Sequence, residues 1–368
     1  MEKTRIGVIF GGRSSEHDIS CISAPNIIDR IDREQYEVFI FGITKDGRWL
    51  TVAGTDDIRG GVWEEKGRPA LLSPDTATHG FLAQTENGWE EIRVDVIFPV
   101  MHGIWGEDGT LQGLIEMAGI PYVGCGVLAS AVTMDKVFTK IIVDLLGVRQ
   151  ARYVLVMKKD LADMDAAIAK CEAKLDYPMF VKPSRAGSSK GVSQAHDAAG
   201  LAAALTEAVK HDTKVLVEET IVGREIECAV MSTPEGTIAS GVGEILSAGS
   251  FYDFDSKYNN ADSRTVVDPV LPEGAAEKVR KDAAAIFDAV DGFGLSRVDF
   301  FVTAEGEPVF NEINTLPGFT AISMYPMLWE AAGVSADELV GRLIRTAFLR
   351  EDSYTVYAAS ADEAEGEA

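Results

Sequence analysis

The chain is poor in cysteine and in basic residues, and each shortage removes a class of function. Four cysteines (Cys21, Cys125, Cys171, Cys228) are scattered through 368 residues. No CxxC pair occurs among them, which argues against a disulfide framework and fits reduced thiols in a cytoplasmic protein. Only 34 lysines and arginines stand against 58 aspartates and glutamates, a formal net charge of −24. So acidic a surface repels nucleic acid and anionic membranes, although a local basic pocket is still compatible with it. Part of the excess is terminal: residues 351–368 carry six acids and no base, and read as a solvated, mostly disordered tail. No apolar run approaches the roughly 18 residues of a membrane span, and that in MEKTRIGVIFGG is too short for a signal peptide. Internal repeats and low-complexity linkers are also missing before the tail, so the domains are expected to pack closely.

What remains is ordinary globular composition over a length that suits two or three α/β domains. Short apolar runs alternate with amphipathic, Ala-rich stretches. RIGVIFGG reads as a buried first strand running into a Gly-Gly turn, and EHDISCISAPNIIDRI as the helix after it. YEVFIFGIT and VDVIFPVMHG are further strands. Residues 45 to 93 between them read as turns and excursions with little periodicity. The pattern predicts a helix over MDKVFTKIIVDLLGV, strands around YVLVM and MFVKPS, and a helix at AGLAAALTEAVKH. VLVEE is taken to open a third region of longer strands, REIECAVMS, TIASGVGEIL, SRVDFFVT and EPVFNEIN, interrupted by the helix EKVRKDAAAIFDAV. The expected division is 1–128, 129–215 and 216–350, with the tail at 351–368.

The last two strands carry chemistry. A turn centred on Glu305-Gly306 pairs Phe301 with Phe310, Asp299 with Glu312 and Arg297 with Asn314. Carboxylates directly opposite one another are destabilising unless something positive lies between them. Asp299, Glu312 and Asn314 are hard oxygen ligands, and so small a set suits Mg²⁺ or Mn²⁺ bound jointly with phosphate oxygens. By itself the hairpin is equally well explained as an exposed edge whose acids are neutralised by Arg297. In MFVKPSRAGSSKGVSQ, a strand delivers Lys182 to a Gly/Ser loop. Gly187 and Gly191 there allow backbone amides to face a phosphate, and Ser188 and Ser189 add donors. It is not a GxxxxGK[ST] loop, because the lysine precedes the glycines. Lys136 begins a helix where a phosphate would also be welcome. In VLVEETIVGREIE the apolar strand offers a wall for a flat base, and Glu218, Glu219 and Glu225 offer acceptors for an amino group and ribose hydroxyls. Each feature has a bland reading as turn or solvated charge; jointly they describe a nucleotide site.

At these residues the chain resembles the D-alanine–D-alanine ligases of the ATP-grasp superfamily. GGRSSEHDIS, MHGIWGEDGTLQG, SAVTMDK, VKPSRAGSSKGV, FYDFDSKY, RVDFF and NEINTLPGFTAISMYP match in order and spacing, over residues 4 to about 349. The resemblance implies an ATP-grasp fold of three α/β domains, an N-terminal open parallel sheet and nucleotide bound between the central and C-terminal domains. It implies a cytoplasmic homodimer joining two D-alanines at the expense of ATP, for peptidoglycan precursors. By the same resemblance Asp299, Glu312 and Asn314 hold two Mg²⁺ ions, or Mn²⁺. Lys136, Lys182 and Ser188 meet phosphates, with Lys257 also on the nucleotide. Arg297 and the backbone N–H of Gly318 stabilise the oxyanion. Glu16, Ser188 and Tyr258 receive the first D-alanine's ammonium, and Ser323 and Lys257 the second substrate's carboxylate.

Two residues keep alternatives. Glu16, in the turn after the first strand, suits an ammonium, with capping of the following helix as the lesser alternative. His102 is either near the first substrate's carboxylate or a satisfied structural histidine. His17 is expected at the surface. FYDFDSKYNNADS is polar and turn-rich, as a lid would be. Departures from the family pattern are modest: Ala186 and Lys190 in the loop, and Met324 where leucine is common. Rival functions are a D-alanine–D-lactate ligase, another ATP-grasp carboxylate–amine ligase, or an ATP-binding module without catalysis. The last would lack a metal ligand or a lysine, and none is lacking.

Overall fold

The computed structural model describes residues 3–187, 190–246, 264–320 and 322–350. Ser188, Lys257, Tyr258, the expected lid and the expected tail lie outside them.

The Thr4–Gly11 strand is central because its apolar run can be buried on both faces. Ile6, Val8 and Phe10 pack into one cluster with Ala24, Ile27 and Ile28 of the His17–Ile28 helix. Ile9 packs into another with Phe41, Ile97 and Ile115. The strand pairs in parallel with Tyr36–Ile43 and Val96–Val100, and Trp49–Val52 adds an antiparallel edge. The expected excursions over 45–93 are more ordered than the sequence suggests. They contain a separate antiparallel sheet of Ala70–Leu72, Gly80–Thr85 and Gly88–Arg93. Its outer strand, GWEEIR, buries neither face, so no alternation marks it.

A second sheet orders Ser193–Ala195, Met179–Pro183, Lys214–Glu219 and Tyr153–Met157. VLVEE therefore belongs here, paired on both sides, and does not open the third region. The expected boundary at 215/216 passes through this strand. The third sheet, Arg264–Val267, Gly236–Leu246, Arg224–Thr233, Leu295–Val302 and Pro308–Asn314, is antiparallel throughout. It is backed by Val279, Ala283, Ile286 and Phe287 of the Ala275–Ala289 helix.

The hairpin register is right at the chemical end and wrong at the turn end. Arg297 faces Asn314 and Asp299 faces Glu312, but Phe310 faces Phe300, not Phe301. The shift is a β-bulge, with Asn311 the extra residue between Phe310 and Glu312. It resolves a conflict of parity. Strict alternation would put Phe310, Glu312 and Asn314 on one face. With the bulge, Phe310 joins Phe300, Val298 and Ile313 in the core, while Glu312 and Asn314 line a cleft.

Candidate active site

The turn after the first strand requires glycine. Gly11 and Gly12 have φ of +87° and +101°, and a Cβ on Gly11 would lie 2.2 Å from the Ile43 carbonyl oxygen. The turn leads to Glu16, whose side chain makes no cap hydrogen bond to the His17–Ile28 helix. Its carboxylate is enclosed by two other motifs instead. A Cβ on Gly103 would approach Glu16 Oε2 to 2.4 Å, and one on Gly187 to 2.7 Å. His17 is not at the surface: it is buried, with Nδ1 2.8 Å from the Gly12 oxygen and its ring stacked near Trp63.

The MHGIWGED segment grips the NTLPG turn. Glu107 accepts from Gly103 N–H and from Leu316 N–H, each at 2.8 Å. His102 Nδ1 lies 2.9 Å from the Leu316 oxygen and Nε2 3.3 Å from Ser23 Oγ. Both backbone groups of Leu316 are thus held by the first domain. This arrangement fits the structural alternative for His102. Burial lowers its pKa, against an opposing pull from the Glu16 carboxylate. Burial, followed by the nearby Glu16 charge, pushes the Glu107 pKa up to about 8. Gly318 stands next to Ser323, whose Oγ bonds Thr320 N–H at 2.9 Å.

Across the third sheet three acids stand in one row, because Glu227 pairs with Asp299 and Asp299 with Glu312. Arg297 makes the row tolerable. It holds Asp299 through Nε at 2.8 Å and a terminal nitrogen at 2.7 Å, and reaches Glu227 at 3.2 Å. Asn314 donates to Asp299 at 3.0 Å. Among the described residues no three His, Cys, Asp or Glu side chains form a metal site by themselves. Two carboxylates and an amide do fit a hard cation that takes its other ligands from phosphate and water.

The lysines arrive from two elements locked together. Asp135 caps the Lys136–Leu145 helix, accepting from Val137 N–H at 3.2 Å and from Ser184 Oγ at 2.7 Å. That cap ties the start of the helix to the end of the strand bearing Lys182. Lys136 reaches Glu312 at 3.3 Å and the Ala186 oxygen at 3.2 Å. Lys182 pairs with Glu218 and reaches Asn311 Oδ1 at 3.3 Å. Beside them lies a cleft of about 520 Å³, walled by Phe180, Ile221, Phe301 and Phe310. Glu225 lines it. The Glu219 carboxylate turns away to Arg152, at 2.9 Å from its N–H and 2.7 Å from Nε. A smaller cavity of about 140 Å³ is lined by Glu16, His102, Glu107, Arg297, Gly318 and Ser323. Lys136 and Glu312 line both, so the two spaces meet at the carboxylate row.

Residues 5–125 match the D-ala D-ala ligase N-terminus and residues 142–345 the D-ala D-ala ligase C-terminus. The chain belongs to the D-alanine–D-alanine ligase family. It is 48% identical to a D-alanine–D-alanine ligase of Ruminiclostridium cellulolyticum, over 98% of this chain and 100% of that one. Another from Acetivibrio thermocellus is also 48% identical, over 95% and 97%. Solved structures agree with the ATP-grasp fold. A D-Ala:D-Ser ligase from Enterococcus faecalis superposes with a TM-score of 0.85 at 38% identity, covering 94% of this chain and all of that one. The D-alanine–D-alanine ligase of Coxiella burnetii gives 0.82 at 30%, covering both chains fully. A D-alanine–D-alanine ligase of this family uses ATP, a divalent metal and small-molecule substrates. No helix among the described residues is long and apolar enough to cross a membrane.

Three residues of this ligase escaped the sequence reading. Glu107 lies inside a motif that carried the resemblance, yet nothing local shows that its partner is Leu316. Glu227 is paired with Asp299 only through the sheet register. Lys140 is a buried lysine, four residues after Lys136 and therefore on the same helix face.

Proposed function

We propose that the protein joins two D-alanines to D-alanyl-D-alanine, releasing ADP and phosphate, for peptidoglycan precursors. The first D-alanine's carboxylate attacks the γ-phosphate and ADP leaves, giving D-alanyl phosphate. The second D-alanine's amine attacks that carbonyl, and phosphate leaves as the amide forms. The observation that carries this reading is the meeting of two spaces at Glu312 and Lys136: a nucleotide-sized cleft on one side, Glu16 and Arg297 on the other.

The protein's work is positioning and charge. Glu16, with Ser188 and Tyr258, receives the first ammonium. Ser323 and Lys257 receive the second substrate's carboxylate. Arg297 and the Gly318 N–H face the developing oxyanion. Lys136, Lys182 and Ser188 bind phosphates, and Lys257 also serves the nucleotide. Glu218, Glu225 and the Glu219 backbone serve adenine and ribose. His102 positions the Leu316 carbonyl and so the turn that carries Gly318. Asp299, Glu312 and Asn314 would hold two Mg²⁺ ions, or Mn²⁺, which neutralise phosphate charge when bound. We place the enzyme in the cytoplasm as a homodimer, with a substrate-binding first domain and the ATP-grasp pair after it.

The likeness to a D-Ala:D-Ser ligase gives a second reading, so acceptor choice needs a direct assay. Supplied with ATP, D-alanine, D-serine and D-lactate together, the wild-type protein should make chiefly D-alanyl-D-alanine. Tyr258→Phe keeps the ring and deletes the hydroxyl that would bond Glu16 and Ser188. A lost bond of about 1–3 kcal/mol corresponds to a shift of roughly five- to 150-fold in relative rates. The D-lactate product should rise accordingly, most at mildly acidic pH, where the competing amine is more protonated. Mainly D-alanyl-D-serine or D-alanyl-D-lactate from the wild type would replace the first reading.

A further inference from the structure

Glu218 has two cationic partners in different circumstances. Lys140 pairs with Oε1 at 2.7 Å, and Lys182 with Oε2. The Lys140 side chain is 2% exposed, against 13% for Lys182. Its ammonium is further fixed by the Ala151 oxygen at 3.3 Å and by the Tyr153 ring, 5.2 Å from the centroid. Lys182 lines the nucleotide cleft and also touches Asn311, whereas Lys140 does not line it. One lysine is therefore locked behind the carboxylate and the other stands before it.

We propose that Lys140 is the permanent counter-ion of Glu218, a positioning residue that holds the carboxylate aimed into the cleft when Lys182 exchanges Glu218 for nucleotide phosphate. The inference rests on the nucleotide reading of this cleft. A phosphate drawing Lys182 away would otherwise strand a buried charge, and an uncompensated charge in a dry interior is strongly unfavourable. With Lys140 in place the exchange leaves Glu218 paired. The cluster of two ammonium groups and one carboxylate also has a net positive charge, which suits a polyphosphate. The ionisation states agree with this role. Burial works to raise the Glu218 pKa, but Lys140 first and Lys182 second outweigh it and hold the group below its ordinary value. Burial lowers the pKa of Lys140, and Glu218 opposes that.

The arrangement follows from the helix. Lys136 and Lys140 are one turn apart on a face that looks across at two strands. The first lysine meets Glu312 of the third sheet and the second meets Glu218 of the second. One helix thus attends both ends of the nucleotide.

Lys140→Met tests the assignment by direct titration with ADP and by steady-state kinetics. Removing the fixed counter-ion leaves Glu218 to retain Lys182, so ADP affinity should fall by about tenfold or more, with KM for ATP rising in parallel. KM for D-alanine should stay within about twofold. Lys140→Arg, which keeps the charge, should recover most of the affinity. In a Glu218→Gln background the same Lys140→Met change should cost less than about threefold, because no carboxylate remains to be paired. Equal losses in both backgrounds, or wild-type ADP affinity in Lys140→Met, would overturn the proposal. Should Lys140→Met not fold, the comparison of Glu218→Gln with the double variant, in which both members of the Lys140–Glu218 pair are neutral, decides the matter by the same threshold: a loss of more than about threefold between them would overturn the proposal. Failure of the nucleotide reading looks different: the wild-type protein itself would then bind no ADP.

Discussion

Glu312→Gln should abolish ligation and leave the fold intact. The Glu312 side chain is one-quarter exposed and its ion pair with Lys136 is 3.3 Å long, and a neutral isostere there keeps the shape and the packing of the strand. Its position is another matter. Glu312 lies where the nucleotide cleft meets the Glu16 cavity, and it faces Asp299 across the hairpin. With Glu312 as a proposed metal ligand, losing that charge would remove metal-linked stabilisation of the transferring phosphoryl group. An effect of about 4 kcal/mol corresponds to roughly a thousandfold in rate. Circular dichroism and melting should match the wild type while phosphate release disappears. Vigorous D-alanine-dependent phosphate release from folded Glu312→Gln protein would sink the metal assignment.

Glu107→Leu should harm stability and activity together, through a contact between the first domain and the NTLPG turn. It leaves the buried N–H groups of Gly103 and Leu316 without their acceptor. Each unsatisfied donor costs about 1–3 kcal/mol, so the melting temperature should drop by several degrees. Leu316 lies between Asn314 and Gly318, and loosening it should lower kcat by at least about tenfold. Wild-type kcat in Glu107→Leu would show that the turn needs no such anchor. Glu107 also makes a pH prediction whose sign is unusual for an acid. Its pKa in the folded protein is about 8, above its ordinary 4.5. The folded state therefore favours the protonated form. The resulting stabilisation is full below about pH 4.5 and is lost as pH rises through about 8. Glu107→Gln, which cannot ionise, should flatten this part of the stability profile. Parallel profiles for the two proteins over pH 5–8.5 would contradict the shift.

Much of the candidate site's placement among the described residues was legible because those residues sit in contiguous motifs on predictable elements. Strand-then-lysine in MFVKPS, lysine at a helix start in MDK, and carboxylates at a strand end can all be read locally. The hairpin shows where that reading stops. Turn chemistry at Glu305-Gly306 and alternation placed Asp299 opposite Glu312. The polar Asn311 fits a strand and a bulge equally well, so the change of parity left no trace in the pattern. His17 was misplaced because its burial depends on Trp63, far along the chain. Glu219 was expected on the nucleotide beside Glu218, but Arg152, at the edge of a neighbouring strand, takes its carboxylate. Lys140 ran against the general rule that lysines are exposed. These are contacts between elements distant in sequence, and local pattern carries no record of them.

The central claim is that phosphoryl transfer from ATP here is coupled to joining two D-amino acids. The most direct test is to measure ADP and dipeptide together, with ATP and Mg²⁺ present and D-alanine supplied or withheld. The account predicts negligible ADP without D-alanine, and with it one D-alanyl-D-alanine for each ADP. Equal ADP release in both conditions, or ADP formed with D-alanine but no dipeptide, would contradict it.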